Sequence, residues 1–268
     1  MHKVRSILVL FFLSLMHAGV AHAQWVQTNG PYGGIINGFA VSGTNLFAAT
    51  IGGVFRSTNN GTSWTEVNNG LTDTIVFALA VSGTNLFAGT LGGVFLSTNN
   101  GTTWTATGLP NRAVFLCMVP ALAVSGTNLF AGAPGDGVLL STNNGTSWTE
   151  VNTGLTNREV FALAVSGTNL LAGTSGGVFL STNNGTTWTE VNTDLTSTSV
   201  RALAVSGTNL FAGTSGGVFL STNNGTSWTA TGLTNRRVLA LAVSGTNLFA
   251  GTEDAGVWRR PVVVRDDH

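Results

Sequence analysis

Short apolar runs of four to seven residues alternate with polar turns along almost the whole chain. Between residues 200 and 233 the runs VRALAV, LFAG, GVFLST and SWTATG are separated by turns rich in Gly, Asn, Ser and Thr. Runs of this length, rich in β-branched and aromatic residues and bounded by Gly and Asn, are typical of β-strands. The Gly and Asn residues recur too often for the helices of a helical repeat. The pattern therefore predicts four short strands per unit.

The units recur with a nearly constant period. The phrase VSGTNL occurs six times, beginning at Val41, Val81, Val124, Val165, Val205 and Val243, and the intervals are 40, 43, 41, 40 and 38 residues. Four strands in each unit of about forty residues are the signature of a β-propeller blade. The sequence therefore predicts an all-β, six-bladed β-propeller built from four-stranded antiparallel blades.

The chain ends predict how the ring closes. The segment QWVQTNG at 24–30 matches an outer strand without a blade, whereas the last unit, 238–264, has three strands and no outer one. Pairing the N-terminal strand with the last blade would complete the sixth blade and leave no unpaired edge. Trp258 then corresponds to Phe219 one unit earlier, so we expect it in the core.

The first 23 residues read as a secretory signal peptide. Basic Lys3 and Arg5 precede an apolar run from residue 7 to 15, and small residues lead to cleavage after Ala23. We therefore expect a single propeller domain over 24–268 in a protein that is secreted or held at the cell surface or in the periplasm. No later run is long and apolar enough to span a membrane.

The charge balance and the single cysteine limit the classes of partner and of covalent stabilisation that we expect. Without Lys3 and Arg5, nine basic residues face eleven acidic ones, and no lysine remains. This balance argues against a nucleic-acid partner. The single cysteine, Cys117, has no internal disulfide partner and lies between Leu116 and Met118, as expected of a buried small hydrophobe.

An octet reading STNNGT, then Ser or Thr, then Trp follows the third predicted strand in five units. We expect Asn to hydrogen-bond the backbone two residues on, Gly to supply a positive φ, and Trp to cover the turn. The defining residues are Ser57, Asn59, Gly61 and Trp64, then Asn99 and Trp104, Asn143 and Trp148, Asn183 and Trp188, and Asn223 and Trp228.

The octet resembles the Asp-box, or BNR repeat, found in propellers such as sialidases, sortilin and a photosystem assembly factor. It departs from that pattern by having Asn for Asp at the third place of all five copies. The resemblance implies a propeller with the octet in a structural role at the turn between the third and fourth strands. Because Asn carries no charge, no metal is expected there.

Differences between units gather in the connections between blades, on one face of the disc. Loops on a rigid scaffold commonly carry recognition, and Arg and Tyr suit polar or anionic partners. This face predicts a secreted, non-catalytic binding or scaffold module, a monomer, for an extracellular protein or glycan; the alternative is that its residues are solvated loop positions. The candidate residues are Tyr32, Arg112, Arg158, Glu159, Arg201, Arg236 and Arg237.

Enzyme chemistry has little support in the residues. The only histidine after the signal peptide is His268, so histidine-dependent triads and histidine-ligated zinc are excluded, and no cofactor motif occurs. The resemblance nevertheless leaves two alternatives open. One is a sialidase-like glycoside hydrolase, in which Glu159 would approach Tyr32 across the channel mouth, and the other is a photosystem-assembly-like factor.

Overall fold

The computed structural model of the chain describes residues 28–109, 118–253 and 256–262, and every regular element in these ranges is a β-strand. Blade 1 comprises β1 (Ile36–Ser42), β2 (Asn45–Thr50), β3 (Gly53–Ser57) and β4 (Thr65–Glu66); blade 2, β5 (Val76–Ser82), β6 (Asn85–Thr90), β7 (Gly93–Ser97) and β8 (Thr105–Ala106); blade 3, β9 (Ala121–Ser125), β10 (Asn128–Ala133), β11 (Gly137–Ser141) and β12 (Thr149–Glu150). Blade 4 comprises β13 (Val160–Ser166), β14 (Asn169–Thr174), β15 (Gly177–Ser181) and β16 (Thr189–Glu190); blade 5, β17 (Val200–Ser206), β18 (Asn209–Thr214), β19 (Gly217–Ser221) and β20 (Thr229–Thr234); blade 6, β21 (Val238–Ser244), β22 (Asn247–Thr252) and β23 (Gly256–Pro261).

Each blade is an antiparallel sheet whose strands lie in chain order, so the predicted six-bladed β-propeller is confirmed. The first two strands of a blade join through a two-residue turn. In blade 5, Ser206 pairs with Asn209 across Gly207, which has φ 59°. A positive φ at the first central position is characteristic of a type II′ turn, and glycine adopts it without steric cost.

The core lies between successive blades. Leu171 and Val178 of blade 4 pack with Val200 and Leu210 of blade 5 in one buried cluster. A glycine in the second strand makes room for the next blade: a Cβ built on Gly173 would lie 2.7 Å from Cγ1 of Val200. Since that distance is below van der Waals contact, the glycine is required by the close approach of the blades.

The boundary between blade 6 and blade 1 differs from the other five. Inner strands pack side by side from β1 through β21, but β21 and β1 have no comparable contact. Ile36 of blade 1 is 42% exposed, whereas the equivalent Val200 is fully buried. A Cβ on Gly251 would meet only Ala240 of its own blade, at 3.6 Å. Apolar surface is therefore exposed on both sides of this seam.

The described part of the N-terminal segment lies against blade 1. Thr28 lies beside Gly61 as Val67 lies beside Gly101, and the Asn29 N–H donates to the Thr62 carbonyl at 3.3 Å. At the boundary between blades 1 and 2, the residue that follows the outer strand of blade 1, Val67, lies against the octet of blade 2. Thr28 lies in the same way against the octet of blade 1. Segment 24–30 was predicted to pair with blade 6, and its residues 24–27 lie outside the described residues, as do the signal peptide, Arg112 and Cys117.

The expectation that Trp258 is a core residue is wrong. Trp258 pairs with Ala250 as Phe219 pairs with Ala212, so its register is the predicted one. Its side chain is nevertheless 41% exposed, whereas Phe219 is 5% exposed. The physical reason is that the described part of blade 6 has no fourth strand to cover it.

Candidate functional site

The octets fold into the same hydrogen-bonded turn in five blades. In blade 1 the Ser57 hydroxyl accepts from the backbone N–H groups of Asn59 and Gly61, at 3.3 and 2.8 Å. The Asn59 side-chain oxygen accepts from the backbone N–H of Ser63 at 3.0 Å. The asparagine therefore bonds the backbone four residues on, and the expected bond two residues on is wrong. The reason is that Asn60 and Gly61 both have positive φ, 54° and 84°, which curls the chain back.

Asparagine in the octet also makes a bond that aspartate could not donate. The Asn59 amide nitrogen donates to the Ser63 hydroxyl at 2.9 Å. The same bond recurs from Asn99, Asn143, Asn183 and Asn223, at 2.8 to 3.0 Å. A carboxylate only accepts hydrogen bonds, whereas an amide donates as well. The substitution of Asn for Asp is thus consistent with a closed hydrogen-bond network that contains no charge.

The octet tryptophans join successive blades. The indole N–H groups of Trp104, Trp188 and Trp228 donate to carbonyl oxygens in the preceding blade, those of Val67, Val151 and Val191, at 2.7 to 2.8 Å. The expectation that the ring merely covers its own turn was therefore incomplete. Within the described part of the chain, the indole nitrogens of Trp64 and Trp148 are buried without a hydrogen-bond partner.

A ring of bulged residues surrounds the centre of the disc. In β17 the register skips from Val200 to Ala202, so Arg201 is displaced from the ladder. A bulge re-aims a side chain and is frequent beside functional sites. Equivalent skips displace Asn37, Phe77, Phe161 and Leu239 in four other inner strands.

These five residues and Pro120 line a central cavity bounded by residues from all six blades, with a volume of about 1140 Å³ counted to its open mouths. Arg201 was predicted from the sequence as a site residue, whereas Phe77, Phe161 and Leu239 were not. The signal was available, because this position differs between blades while the adjoining Ala-Leu-Ala-Val hardly changes. We call Asn37, Phe77, Pro120, Phe161, Arg201 and Leu239 the bulge ring.

Arg201 is the one charged residue among the described residues that line this cavity. Its guanidinium carbon lies 4.4 Å from the centroid of the Phe161 ring, a cation–π contact. Its Nε atom is buried, and no described residue forms a hydrogen bond with it. A stacked guanidinium keeps its N–H edge available, and that planar edge matches the two oxygens of a carboxylate or other oxyanion.

The other predicted site residues do not gather around the cavity. Arg158 lies 3.7 Å from Glu150, and both side chains are largely exposed. Arg237 pairs with Glu253 at 2.9 Å on another blade, and the neighbouring Arg236 lies over Trp258 at 5.2 Å. Their positions fit the predicted face, in the connections that precede β13 and β21. These pairs are separate contacts at the surface, and none of their residues is among those that line the central cavity.

The proposed approach of Glu159 to Tyr32 is not seen in the structure. Tyr32 is 77% exposed and donates its hydroxyl hydrogen to the Asn29 side-chain oxygen. No contact joins it to Glu159 in the described part of the chain, and Glu159 is itself exposed. The reason is that the Tyr32 side chain turns back onto its own segment. No Asp or Glu occurs among the described residues that line the central cavity.

Over the described ranges, no group of three His, Cys, Asp or Glu side chains is placed to hold a metal ion. No helix in the same ranges is long and apolar enough to cross a membrane.

Comparison with known proteins gives the fold. No protein-family model matches the chain, and no curated protein matches it by sequence. An ancestral GH74 enzyme is similar in structure with a TM-score of 0.69 at 21% identity, over 89% of this chain and 38% of that one. The extracellular domain of BT4673 from B. thetaiotaomicron has a TM-score of 0.71 at 18% identity, over 87% of this chain and 32% of that one.

A third similar structure is YCF48 from Cyanidioschyzon merolae, with a TM-score of 0.63 at 16% identity, over 83% of this chain and 81% of that one. The chain therefore spans about a third of the length of the first two structures and most of the third. Since all three identities are low, the comparisons establish the propeller fold and leave the function to be argued from the site.

Proposed function

We propose that this chain is an exported, non-catalytic binding module that recognises an extracellular protein or glycan at the mouth of its central cavity. One observation carries the proposal: the bulge ring presents blade-specific side chains toward a common cavity, and Arg201 is held there against Phe161 with its Nε atom unbonded. Aromatic faces with a single oriented cation are suited to ligands that combine an apolar surface with one anionic group.

The geometry favours binding over glycoside hydrolysis. Most glycosidases need two carboxyl groups, about 5 to 10 Å apart, on either side of the bond they cleave. The described cavity lining supplies none, and Tyr32 and Glu159 are not in contact. The likeness to a GH74 enzyme and to YCF48 supports the architecture shared by these proteins, so neither hydrolase nor assembly activity has an independent observation in its favour.

Export is supported by the order of charge, apolar run and small residues before position 24. The similarity to a domain described as extracellular in BT4673 is consistent with this location. The Asp-box resemblance enters the proposal as a structural feature of the scaffold.

The test is a binding screen on an immobilised panel of acidic glycans, neutral glycans and acidic peptides. For the acidic ligand that binds, we expect Arg201→Ala to weaken binding at least about tenfold, and Arg201→Lys to recover only part of it, since Lys lacks the planar fork. Arg237→Ala is the matched control, because that arginine is already paired with Glu253.

Two outcomes would contradict the proposal. One is binding by Arg201→Ala that equals wild type while Arg237→Ala loses it, which would move the site to the blade 6 surface. The other is turnover of a fluorogenic glycoside by the purified chain, which would show catalysis.

A further inference from the structure

The bulge ring divides into an apolar arc and a polar arc. Blades 2, 3 and 4 contribute the apolar arc, which consists of Phe77, Pro120 and Phe161. Blades 5 and 1, which flank blade 6, contribute Arg201 and Asn37. Among the described residues that line the cavity, these two alone have polar side chains. A ligand that fills the cavity therefore meets one cation, one amide and otherwise apolar side chains.

The Asn37 side chain adds a hydrogen-bond acceptor to the lining. Its amide nitrogen donates to the Val76 carbonyl of blade 2 at 2.8 Å. Since a carbonyl only accepts hydrogen bonds, this contact assigns the two ends of the amide and leaves the Oδ1 atom as the other end. No described residue donates to that Oδ1 atom. Arg201 thus offers N–H donors to a ligand, and Asn37 offers an acceptor.

This lining distinguishes between the two ligand classes of the proposed function. A sugar ring carries a hydroxyl on most of its carbons, and each hydroxyl that leaves water needs a hydrogen-bond partner. Two polar side chains satisfy few of these hydroxyl groups. An apolar side chain beside one carboxylate, in contrast, needs no more than the cavity supplies. The lining therefore favours a polypeptide over a glycan.

The residues around the cavity mouth favour a folded protein surface as the partner. Glu159 and Arg237 precede Phe161 and Leu239 of the bulge ring by two positions, and both are accessible to solvent. An apolar centre with aromatic and arginine anchors, surrounded by a charged rim, is the usual arrangement of a protein–protein interface. A protruding loop reaches such a centre while the surface beside it covers the rim, whereas a short chain end contacts only the centre.

We propose that the bulge ring binds a protruding loop of a partner protein in which an Asp or Glu lies next to a large apolar residue. The loop carboxylate pairs with the N–H edge of Arg201, which no described carboxylate occupies. The apolar side chain packs against Phe77 and Pro120, and a backbone N–H of the loop donates to Oδ1 of Asn37. This inference rests on the proposed function and narrows its ligand to an acidic, apolar protein loop.

The experiment selects ligands for the purified chain from a displayed library of short, randomised, disulfide-closed loops, beside an array of acidic and neutral glycans. We expect the enriched loops to contain Asp or Glu next to Phe, Leu or Trp. For the tightest loop, replacing its acidic residue by the matching amide should weaken binding to wild type about tenfold or more. The same replacement should change binding to Arg201→Leu by less than about twofold, because the carboxylate has lost its partner.

Three further variants complete the test. Asn37→Leu should weaken the acidic loop and its amide counterpart by the same factor, because it removes the acceptor and leaves Arg201 in place. Arg237→Ala is the matched control and should leave both affinities within about twofold of wild type, since this rim arginine is paired with Glu253. Leucine already occupies the position of Arg201 in blade 6, as Leu239, so the fold accepts it. If Arg201→Leu nevertheless fails to fold by circular dichroism, Arg201→Gln replaces it in the same comparison.

The inference is overturned if the acidic residue of the loop is dispensable, or if its replacement weakens binding to wild type and Arg201→Leu equally. Tighter binding of a linear peptide through its free terminal carboxylate than of any loop would assign the cavity to a chain end. An acidic glycan that binds through Arg201 while no loop binds would reject the loop and leave the proposed function intact. Binding of neither loops nor glycans would reject both.

Discussion

Replacing an octet tryptophan by phenylalanine should cost more stability where the indole N–H has a partner than where it has none. In Trp188→Phe the Val151 carbonyl loses a donor at 2.7 Å and is left at a buried boundary. An unpaired buried polar group costs about 1 to 3 kcal/mol. In Trp148→Phe no hydrogen bond to a described residue is lost, because none of these residues accepts from the buried Trp148 nitrogen. The change there removes an unsatisfied donor and should offset part of the lost packing.

The two variants lose the same side-chain volume, but the Trp188 ring is buried and the Trp148 ring is only partly buried, so a greater loss of packing at Trp188 adds to the loss of the hydrogen bond. We expect Trp188→Phe to be less stable than Trp148→Phe by about 1 to 3 kcal/mol. Urea unfolding measures this as a lower midpoint with an unchanged slope. Trp104→Phe should match Trp188→Phe, since both bonds are 2.7 Å long. Equal destabilisation by Trp148→Phe and Trp188→Phe would refute the reasoning, because the loss would then be one of packing alone.

Three further predictions concern the blade boundaries, the octets and the surface. Gly213→Ala should cost about 1 to 3 kcal/mol of unfolding free energy, because the added Cβ would lie 2.7 Å from Val238 of the next blade. Gly251→Ala, at the seam between blades 6 and 1, should cost little. Equal costs in urea titrations would show that the seam closes tightly in solution. Asn183→Ala should lower the Tm by several degrees because the Ser181 hydroxyl and the Thr187 N–H lose their acceptor and the Thr187 hydroxyl loses a donor. Asn183→Asp should cost less, because a carboxylate still accepts the first two bonds. Circular dichroism melts decide, and a neutral Asn183→Ala would show that the turn does not need this network. Arg237→Ala should change the unfolding free energy by less than about 1 kcal/mol in urea titrations at 0.15 M salt, because its ion pair is solvent-exposed, and a larger loss would imply buried contacts.

The period of the sequence predicted the number of blades and the strands within them, because Gly and Asn mark every turn. It did not predict that most outer strands contain only two paired residues. After Thr65 and Glu66, the Asn68 side chain accepts from the backbone N–H of Val54 at 2.7 Å, which ends the ladder on β3. A side chain that replaces a backbone partner leaves no signal in an apolar–polar pattern.

The site was only partly predictable for a related reason. Arg201 was identified by its charge, but Phe161, on which it stacks, reads as one more apolar residue of an inner strand. The displacement of Phe161 depends on how β13 pairs with β14. Val160 and Ala162 of β13 each have a partner in β14, and Phe161 between them has none. Register is a property of two strands together, so a pattern along one strand could not reveal it. The approach of Glu159 to Tyr32, expected for the sialidase-like alternative, is not seen among the described residues, where the Tyr32 hydroxyl donates to Asn29 of its own segment.

The repetition itself explains why recognition should be sought at the bulge ring. A side chain used in packing is constrained in the same way in every blade, so the Ala-Leu-Ala-Val segments and the octets are nearly identical. A bulged residue leaves the ladder and is released from that constraint, so its identity can differ from blade to blade. The five bulged residues all line one cavity, and only two of them are of the same type; they are Asn37, Phe77, Phe161, Arg201 and Leu239. In a nearly symmetric scaffold, the residues that break the symmetry at a shared cavity are those able to distinguish one ligand from another.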